Sequence, residues 1–306
     1  MKCHRSIRIG LLSALLLFLI LLKFQGLNEA HASDSSRLPV HTLTGNIHLH
    51  KNFHSNFLPS NRNIIVYLPP DYDQDQTRRY PVLYMQDGQI IFDSATSFFA
   101  GKERQMDERA QALITEHTVK PLIIVGIYSA GLARMNEFTA VTARPSGQAD
   151  LYGRMLVEEI MPLIESQYRT LNGPSNTALG GSSMGGSVTL YLGLKYTNIF
   201  GRLAVTSPAA FRDDEMIVRY VQALRGKTKQ RICLSIGTED MPPFLDSTRD
   251  LHQALIDKGW KQGVDLDYLE VPGAQHTPDE RATRVDHLLK FLFPADGRST
   301  RTRGES

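Results

Sequence analysis

Thr177-Ala178-Leu179-Gly180-Gly181-Ser182-Ser183-Met184-Gly185-Gly186 decides how this chain is read. The segment opens as a short β-branched and apolar strand, turns at its glycines, and continues with helical period through Leu190, Tyr191 and Leu194. Only Ser183 has a glycine two residues away on both sides, Gly181 and Gly185; the neighbouring Ser182 has Gly180 before it but Met184 after. A nucleophile on a sharp strand-to-helix turn sits in strained backbone geometry, and small flanking residues let the two elements approach without clashes. The same turn lifts the hydroxyl out of the sheet. It also leaves the Met184 amide at a helix N-terminus, where it can donate to a developing oxyanion. A glycine-rich turn without chemistry would carry the same glycines, so the weight of the motif rests on its place between a strand and a helix.

Serine is a weak nucleophile at neutral pH and needs a histidine base, itself held in one tautomer by an acid. When the nucleophile follows a strand in this way, both partners lie downstream, acid first. His252, His276 and His287 follow Ser183. The first and last lie in helical patterns, whereas His276 closes the loop Pro272-Gly273-Ala274-Gln275-His276 after the last strand, where catalytic loops gather. For the acid, the strand around Ile232 to Ile236 ends in Gly237-Thr238-Glu239-Asp240; Asp240 is the first choice and Glu239 the alternative. A second oxyanion donor belongs to the loop after an earlier strand, Tyr84-Met85-Gln86-Asp87-Gly88-Gln89, and is assigned to the Gln89 backbone amide. Read as a plain tight turn, the same loop would have Asp87 bonding its own backbone and Gly88 at positive φ.

Outward from this turn, short apolar runs alternate with segments of helical period, which predicts an α/β three-layer sandwich of the α/β-hydrolase type. Its mostly parallel sheet has about eight strands with helices on both faces. The strands are expected at Asn46 to Phe53, Asn63 to Leu68, Val82 to Met85, Leu122 to Tyr128, Thr177 to Leu179, Leu203 to Thr206, Ile232 to Ile236 and Leu266 to Val271. The first two should pair antiparallel, being joined by a short link with Pro59, Ser60 and Asn61. Helices are expected over Glu103 to Thr115, Leu151 to Tyr168, Met184 to Lys195, Asp214 to Arg225, Ser247 to Lys258 and Asp279 to Phe291, with Pro162 kinking or restarting the second.

The motifs together resemble the esterase family that includes esterase D, the trilactone siderophore hydrolases, feruloyl and acetyl-xylan esterases and the antigen 85 mycolyltransferases. The resemblance rests on Ile65-Val66-Tyr67-Leu68-Pro69-Pro70-Asp71-Tyr72, on Tyr80 to Gln89, on Gly180 to Gly186 and on Gly273 to His276. It implies a triad of Ser183, Asp240 and His276 with oxyanion amides from Met184 and Gln89. Phe98, Asp107, Glu108 and Arg134-Met135-Asn136-Glu137-Phe138-Thr139 are similar to the branch with periplasmic siderophore esterases. Two places depart from that branch: Arg281 stands where a tryptophan is common, and Ala209-Ala210-Phe211 where an aromatic pair is common. The resemblance therefore carries the triad but not the substrate contacts.

Over 306 residues, 42% apolar and 22% charged, composition describes an ordinary globular chain rather than a disordered or many-spanning one. Lys2, Arg5 and Arg8 precede an apolar run from Ile9 to Leu22, and Ala30-His31-Ala32 offers a small-x-small cleavage pattern. These predict a signal peptide over 1–32, a single esterase domain over 33–294 and a disordered polar tail over 295–306, with export to the periplasm or medium. An uncleaved leader tethering the enzyme is the alternative, and the one route to a membrane. Without the leader 30 basic and 31 acidic residues remain, so no basic face points to nucleic acid. Cys233 would be the sole cysteine left, in an apolar strand, where it reads as a buried structural thiol. His48, His50 and His54 cluster early, but strand alternation gives His48 and His50 one face without a third ligand; no metal or cofactor is implied. The partner is an ester, small or polysaccharide-borne. A catecholate siderophore lactone, with Arg134 meeting a catecholate oxygen, and acetyl or feruloyl polysaccharide esters both fit; in the first, Arg134 has a structural ion pair as its competing role. Acyl transfer to an alcohol, or a non-catalytic binder on a hydrolase scaffold, are the other readings.

Overall fold

A strand covered by helices on both faces must be apolar at successive positions, and the central runs of this chain are. The computed structural model describes residues 40–99 and 101–295. The predicted leader and all of the predicted tail except Ala295 lie outside them; the Ala295 amide donates to the Thr118 carbonyl at 3.3 Å. The described residues form β1 (Asn46–Phe53), β2 (Arg62–Leu68), β3 (Val82–Gln86), β4 (Ile123–Ile127), β5 (Thr177–Ser183), β6 (Arg202–Pro208), β7 (Arg231–Gly237) and β8 (Leu266–Val271). They join in the order β1-β2-β4-β3-β5-β6-β7-β8. β2 runs antiparallel to both β1 and β4, as expected for the first pair, and the other pairings are parallel.

The helices are α1 (Met106–Thr115), α2 (Arg134–Glu137), α3 (Ala149–Arg154), α4 (Met161–Gln167), α5 (Met184–Lys195), α6 (Arg212–Gln222), α7 (Pro242–Asp257), α8 (Pro278–Ala282) and α9 (Val285–Leu292). Alternation along each strand divides the interior in two. Val82, Tyr84, Leu179, Leu203, Val205 and Leu234 face one core, shared with α5, α6 and α7. Leu83, Met85, Ala178, Ala204 and Cys233 face the other, shared with α1 and α9. The prediction of a sheet with helices on both faces is met.

α7 begins five residues earlier than expected and α2 was not expected; three further differences have a local cause. The strand expected to end at Leu179 continues to Ser183, because Gly180 and Gly181 stay paired with Ala204 and Val205; glycine's poor strand propensity hides this in the sequence. The helix around Pro162 is divided: a π-helical stretch, Met155–Ile160, separates α3 from α4, and Pro162 lies in the first turn of α4, where its missing N–H costs least. The final helix breaks at Thr283 and Arg284, between α8 and α9.

Three carboxylates, Glu103, Asp107 and Glu108, meet where α1 begins. Asp107 is fully buried and accepts the Thr44 amide at 2.7 Å, while Glu103 accepts the Thr42 hydroxyl, so the chain entering β1 is fastened to α1. Burial first, then Glu108 and Asp93, push Glu103 up from 4.5 to about 7; burial and Glu108 raise Asp107 as well. An acid with a raised folded-state pKa binds more protons folded than unfolded, so stability is complete below about pH 4.5 and is lost as pH climbs through about 7. Urea unfolding at a series of pH values should show that decline, and Glu103→Gln should flatten it over the same window.

Candidate active site

The chain leaves β3 for β4 on one side and returns as β5 on the other, so the sheet reverses its winding between β3 and β5. Ligands of open α/β sheets bind beyond the carboxyl ends at such a point. Ser183 stands there, at the last position of β5 and immediately before α5, with φ 59° and ψ −128°. A Cβ on Gly181 would lie 2.4 Å from the Gly185 carbonyl oxygen, and one on Gly185 would lie 3.2 Å from Asp87 Oδ2 and Gln86 Cβ. Close approach therefore demands glycine at Gly181 and leaves little room at Gly185, in line with the sequence reading, although neither has positive φ; Ser183 itself takes the strained conformation. Met184 opens α5, so its amide precedes any intrahelical acceptor.

The structure brings His276 and Asp240 together. His276 Nδ1 lies 2.7 Å from Asp240 Oδ1, with the carboxylate side chain fully buried and the imidazole 19% exposed, wet enough to exchange a proton. Asp240 Oδ2 accepts the Ser207 hydroxyl at 2.8 Å, and Ser207 Oγ in turn accepts from Arg284 Nη1 at 2.8 Å. Arg284 is only 2% exposed. Four side chains from the ends of β6, β7 and β8 and from the α8–α9 break thus form one line of hydrogen bonds. Glu239, the alternative acid, is exposed and accepts from Gln275 Nε2 at 3.3 Å instead. Gly237 lets the histidine loop cross the end of β7, since a Cβ there would lie 2.1 Å from the Ala274 carbonyl oxygen. Phe244 packs on the imidazole with ring centroids 4.2 Å apart. The backbone of Ser183 joins the same rim, its carbonyl accepting the Ala209 amide at 3.1 Å.

Gln89 is the middle residue of a 3-10 turn, Gly88–Ile90, whose first bond runs from the Ile90 amide to the Asp87 carbonyl. Its amide therefore belongs to the orphan first turn. Its side chain is spent on Ser129, donating to Oγ at 2.6 Å and accepting the Ser129 amide at 3.1 Å. The plain-turn description of this loop needs correction. Asp87, not Gly88, has positive φ (59°), and Gly88 is needed because a Cβ would lie 2.4 Å from the Gly126 carbonyl carbon of β4. Asp87 does not bond its own turn; it receives Arg134 Nε at 2.6 Å and Nη2 at 2.7 Å. Arg134 is thus a two-pronged ion-pair partner. Burial works against its charge, but Asp87 outweighs this and the guanidinium pKa is raised.

The early histidines do not converge. His48 meets Asn46, His50 the Tyr168 hydroxyl, and His54 Asn61. His252 stacks on Tyr268 at 4.1 Å, and Cys233 is buried, which raises its thiol pKa and keeps it protonated. Cys233, Asp267 and His287 approach one another closely enough to share an ion, as do Glu103, Asp107 and Glu108. A protonated thiol is a poor ligand, and His287 is held by Asp267, whose hydrogen bond raises its pKa. Ser207 and Arg284 escape a reading of the sequence: a serine ending a strand and an arginine inside an apparent helix carry no motif. The one local signal, positive φ at Ser207 (41°), exists only in the folded chain.

With this geometry in hand, comparisons with known proteins agree. The family model Esterase, described as "Putative esterase", matches residues 55–276. Among curated proteins, "Uncharacterized protein YbbA" of Bacillus subtilis (strain 168) is 24% identical over 248 residues, 76% of this chain and 93% of its own. Among solved structures, a ferulic acid esterase superposes with a TM-score of 0.65 at 19% identity, covering 81% of this chain and 98% of that one. The enterobactin esterase FES from Shigella flexneri superposes with a TM-score of 0.61 at 17% identity, covering 83% and 60%. At such identities the superpositions show a shared fold.

A proton on Nδ1, held against a buried carboxylate, should give a far-downfield proton NMR resonance. It is expected in wild type and in Glu239→Gln and should vanish in Asp240→Ala; persistence in the last would place the bond elsewhere.

Proposed function

This chain belongs to the esterase family and is a carboxylic ester hydrolase, and we propose that it works through Ser183, His276 and Asp240 by way of an acyl-enzyme. The observation that carries this reading is the 2.7 Å contact between His276 Nδ1 and a fully buried Asp240, at the same sheet rim as a serine held at φ 59°. With Nδ1–H given to Asp240, Nε2 of His276 is the nitrogen that acts as the base. It takes the proton from Ser183 Oγ as the oxygen attacks the ester carbonyl. The Met184 and Gln89 amides receive the negative charge of the tetrahedral oxygen. His276 then returns its proton to the leaving alcohol, and water repeats the sequence on the acyl-enzyme to release the acid. Asp240 stays ionised throughout and steadies the imidazolium.

Export, through the leader over residues 1–32, is part of the same proposal. The substrate class proposed is an aryl-bearing ester. A catecholate lactone is supported by the similarity to an enterobactin esterase, and a feruloyl ester of polysaccharide by the similarity to a ferulic acid esterase.

Ser183→Ala should lower turnover of a 4-nitrophenyl ester by at least roughly a thousandfold, and Asp240→Asn by a similar factor, while Glu239→Gln stays within about threefold. Comparable rates for Ser183→Ala and wild type would end the assignment. A catecholate trilactone and feruloylated xylan, assayed side by side, separate the two substrate classes. The line behind the acid gives a further expectation: Ser207→Ala and Arg284→Gln should each lower kcat by about tenfold with KM little changed. Each leaves Asp240 short of a hydrogen bond or of the cation behind it. Arg284→Lys, which keeps the charge, should recover part of that loss.

A further inference from the structure

Beside the nucleophile lies a shallow cleft, partly open to solvent, with ≈ 20 Å³ of accessible space, room for one small group. Its wall includes Met184, the first residue of α5, and Ala209, whose amide holds the Ser183 carbonyl. A group that fills it therefore lies beside the ester that Ser183 would attack. Phe138, Met184, Ala209, Met216 and Ile217 make the lining largely apolar, and Thr139, Ser187, Arg212 and Asp213 interrupt it. Ser187 Oγ and Arg212 Nε are both buried without a hydrogen-bond partner. Buried polar atoms are rarely left so, and two on one small cleft mark a place for a polar group.

The charges around Arg212 say what kind of group. Its guanidinium makes no ion pair or hydrogen bond among the described residues. The adjacent carboxylate, Asp213, is taken by Arg144. Burial lowers the Arg212 pKa, Asp213 opposes this, and the cations Arg144 and Arg134 lower it further. Arg134 is itself occupied by Asp87. A cation surrounded by cations, with the nearby carboxylates already engaged, gains most from an incoming anion. An arginine fork matches a two-oxygen anion, and a neighbouring hydroxyl adds a third donor.

We propose that Arg212 and Ser187 form a subsite for an anionic oxygen group, a carboxylate or an ionised catechol, carried by the ester a short reach from its carbonyl. The cleft is far smaller than an ordinary ligand pocket, so it receives the anionic oxygens themselves, with the body of the substrate outside it. This inference rests on the esterase reading above and adds the charge of the substrate to it.

The test compares 4-nitrophenyl valerate with mono-4-nitrophenyl glutarate, which differ by a terminal carboxylate on the acyl side, and 4-methylcatechol, which has no carboxylate, with glutarate as competitive inhibitors. The quantity read is the ratio of kcat/KM for the anionic ester to that for the neutral one. Wild type is expected to favour the glutarate ester. In Arg212→Met that ratio should fall by roughly tenfold to a hundredfold, in Ser187→Ala by less, and Arg212→Lys should lie between wild type and Arg212→Met. The stronger of the two inhibitors identifies which anion the subsite prefers. Equal use of both esters by wild type, or a ratio that Arg212→Met leaves unchanged, overturns the subsite while the esterase reading stands. Absence of Ser183-dependent hydrolysis of either ester overturns that reading, and the subsite falls with it.

Discussion

The backbone of Ser183 is the constraint from which the rest of the site is built. A serine at φ 59° and ψ −128° is outside the comfortable regions for an L-residue, at a cost of about 1–3 kcal/mol. It is held because both sides are rigid. β5 is paired with β3 as far as Gly180 and with β6 up to Ser183, and α5 starts on the next residue. The turn is so tight that Gly181 and Gly185 nearly touch, and the buried Gln86 side chain fills the space beneath, its Oε1 accepting the Tyr152 hydroxyl. A side chain at Gly181 would push the strand away from the helix, and one at Gly185 would crowd Gln86 and Asp87.

The second consequence is where the partners must lie. Because β5 lies between β3 and β6, its carboxyl end has the Gln89 loop on one flank and the end of β6 on the other. The acid emerges from β7, one strand further along, and the histidine from β8, two further along. The loop after β8 must therefore fold back over β7, which is what Gly237 permits, and Asp240 must be approached across β6. Ser207, at the end of β6, occupies the intervening position and is the natural second partner for the carboxylate.

Much of this was legible in the sequence because it depends on local rules. Strand alternation fixed the two faces, and the glycine spacing chose Ser183 over Ser182. Strand-end loops singled out His276 and left two acids, Asp240 and Glu239, which local sequence cannot separate. Adjacent residues in a turn point different ways, and only the fold gives one the imidazole and the other Gln275. What stayed hidden is non-local. Arg284 lies in a stretch that reads as one continuous helix, and its place behind Asp240 arises because the helix breaks there. Arg134 could be weighed as half of an ion pair, but its partner could not be named, since Asp87 is 47 residues away.

That pair also bears on how an anion is recognised. Asp87 is 1% exposed and receives both prongs of the Arg134 fork. For Arg134 to turn to a substrate oxyanion, a buried carboxylate would have to be left without its cation, a change that costs about 3–5 kcal/mol in proteins. It would also loosen the turn carrying Gln89, which begins at Asp87. An oxyanion donor that loses its position when the substrate binds works against catalysis, because preorganisation is the source of its effect. The arginines around the site therefore divide by their partners. Arg134 is committed to Asp87, Arg284 to Ser207 in the line behind Asp240, and Arg144 to Asp213. Arg212, on the cleft wall with no carboxylate of its own, is the one of the four that can bind an anion without dismantling part of the machinery.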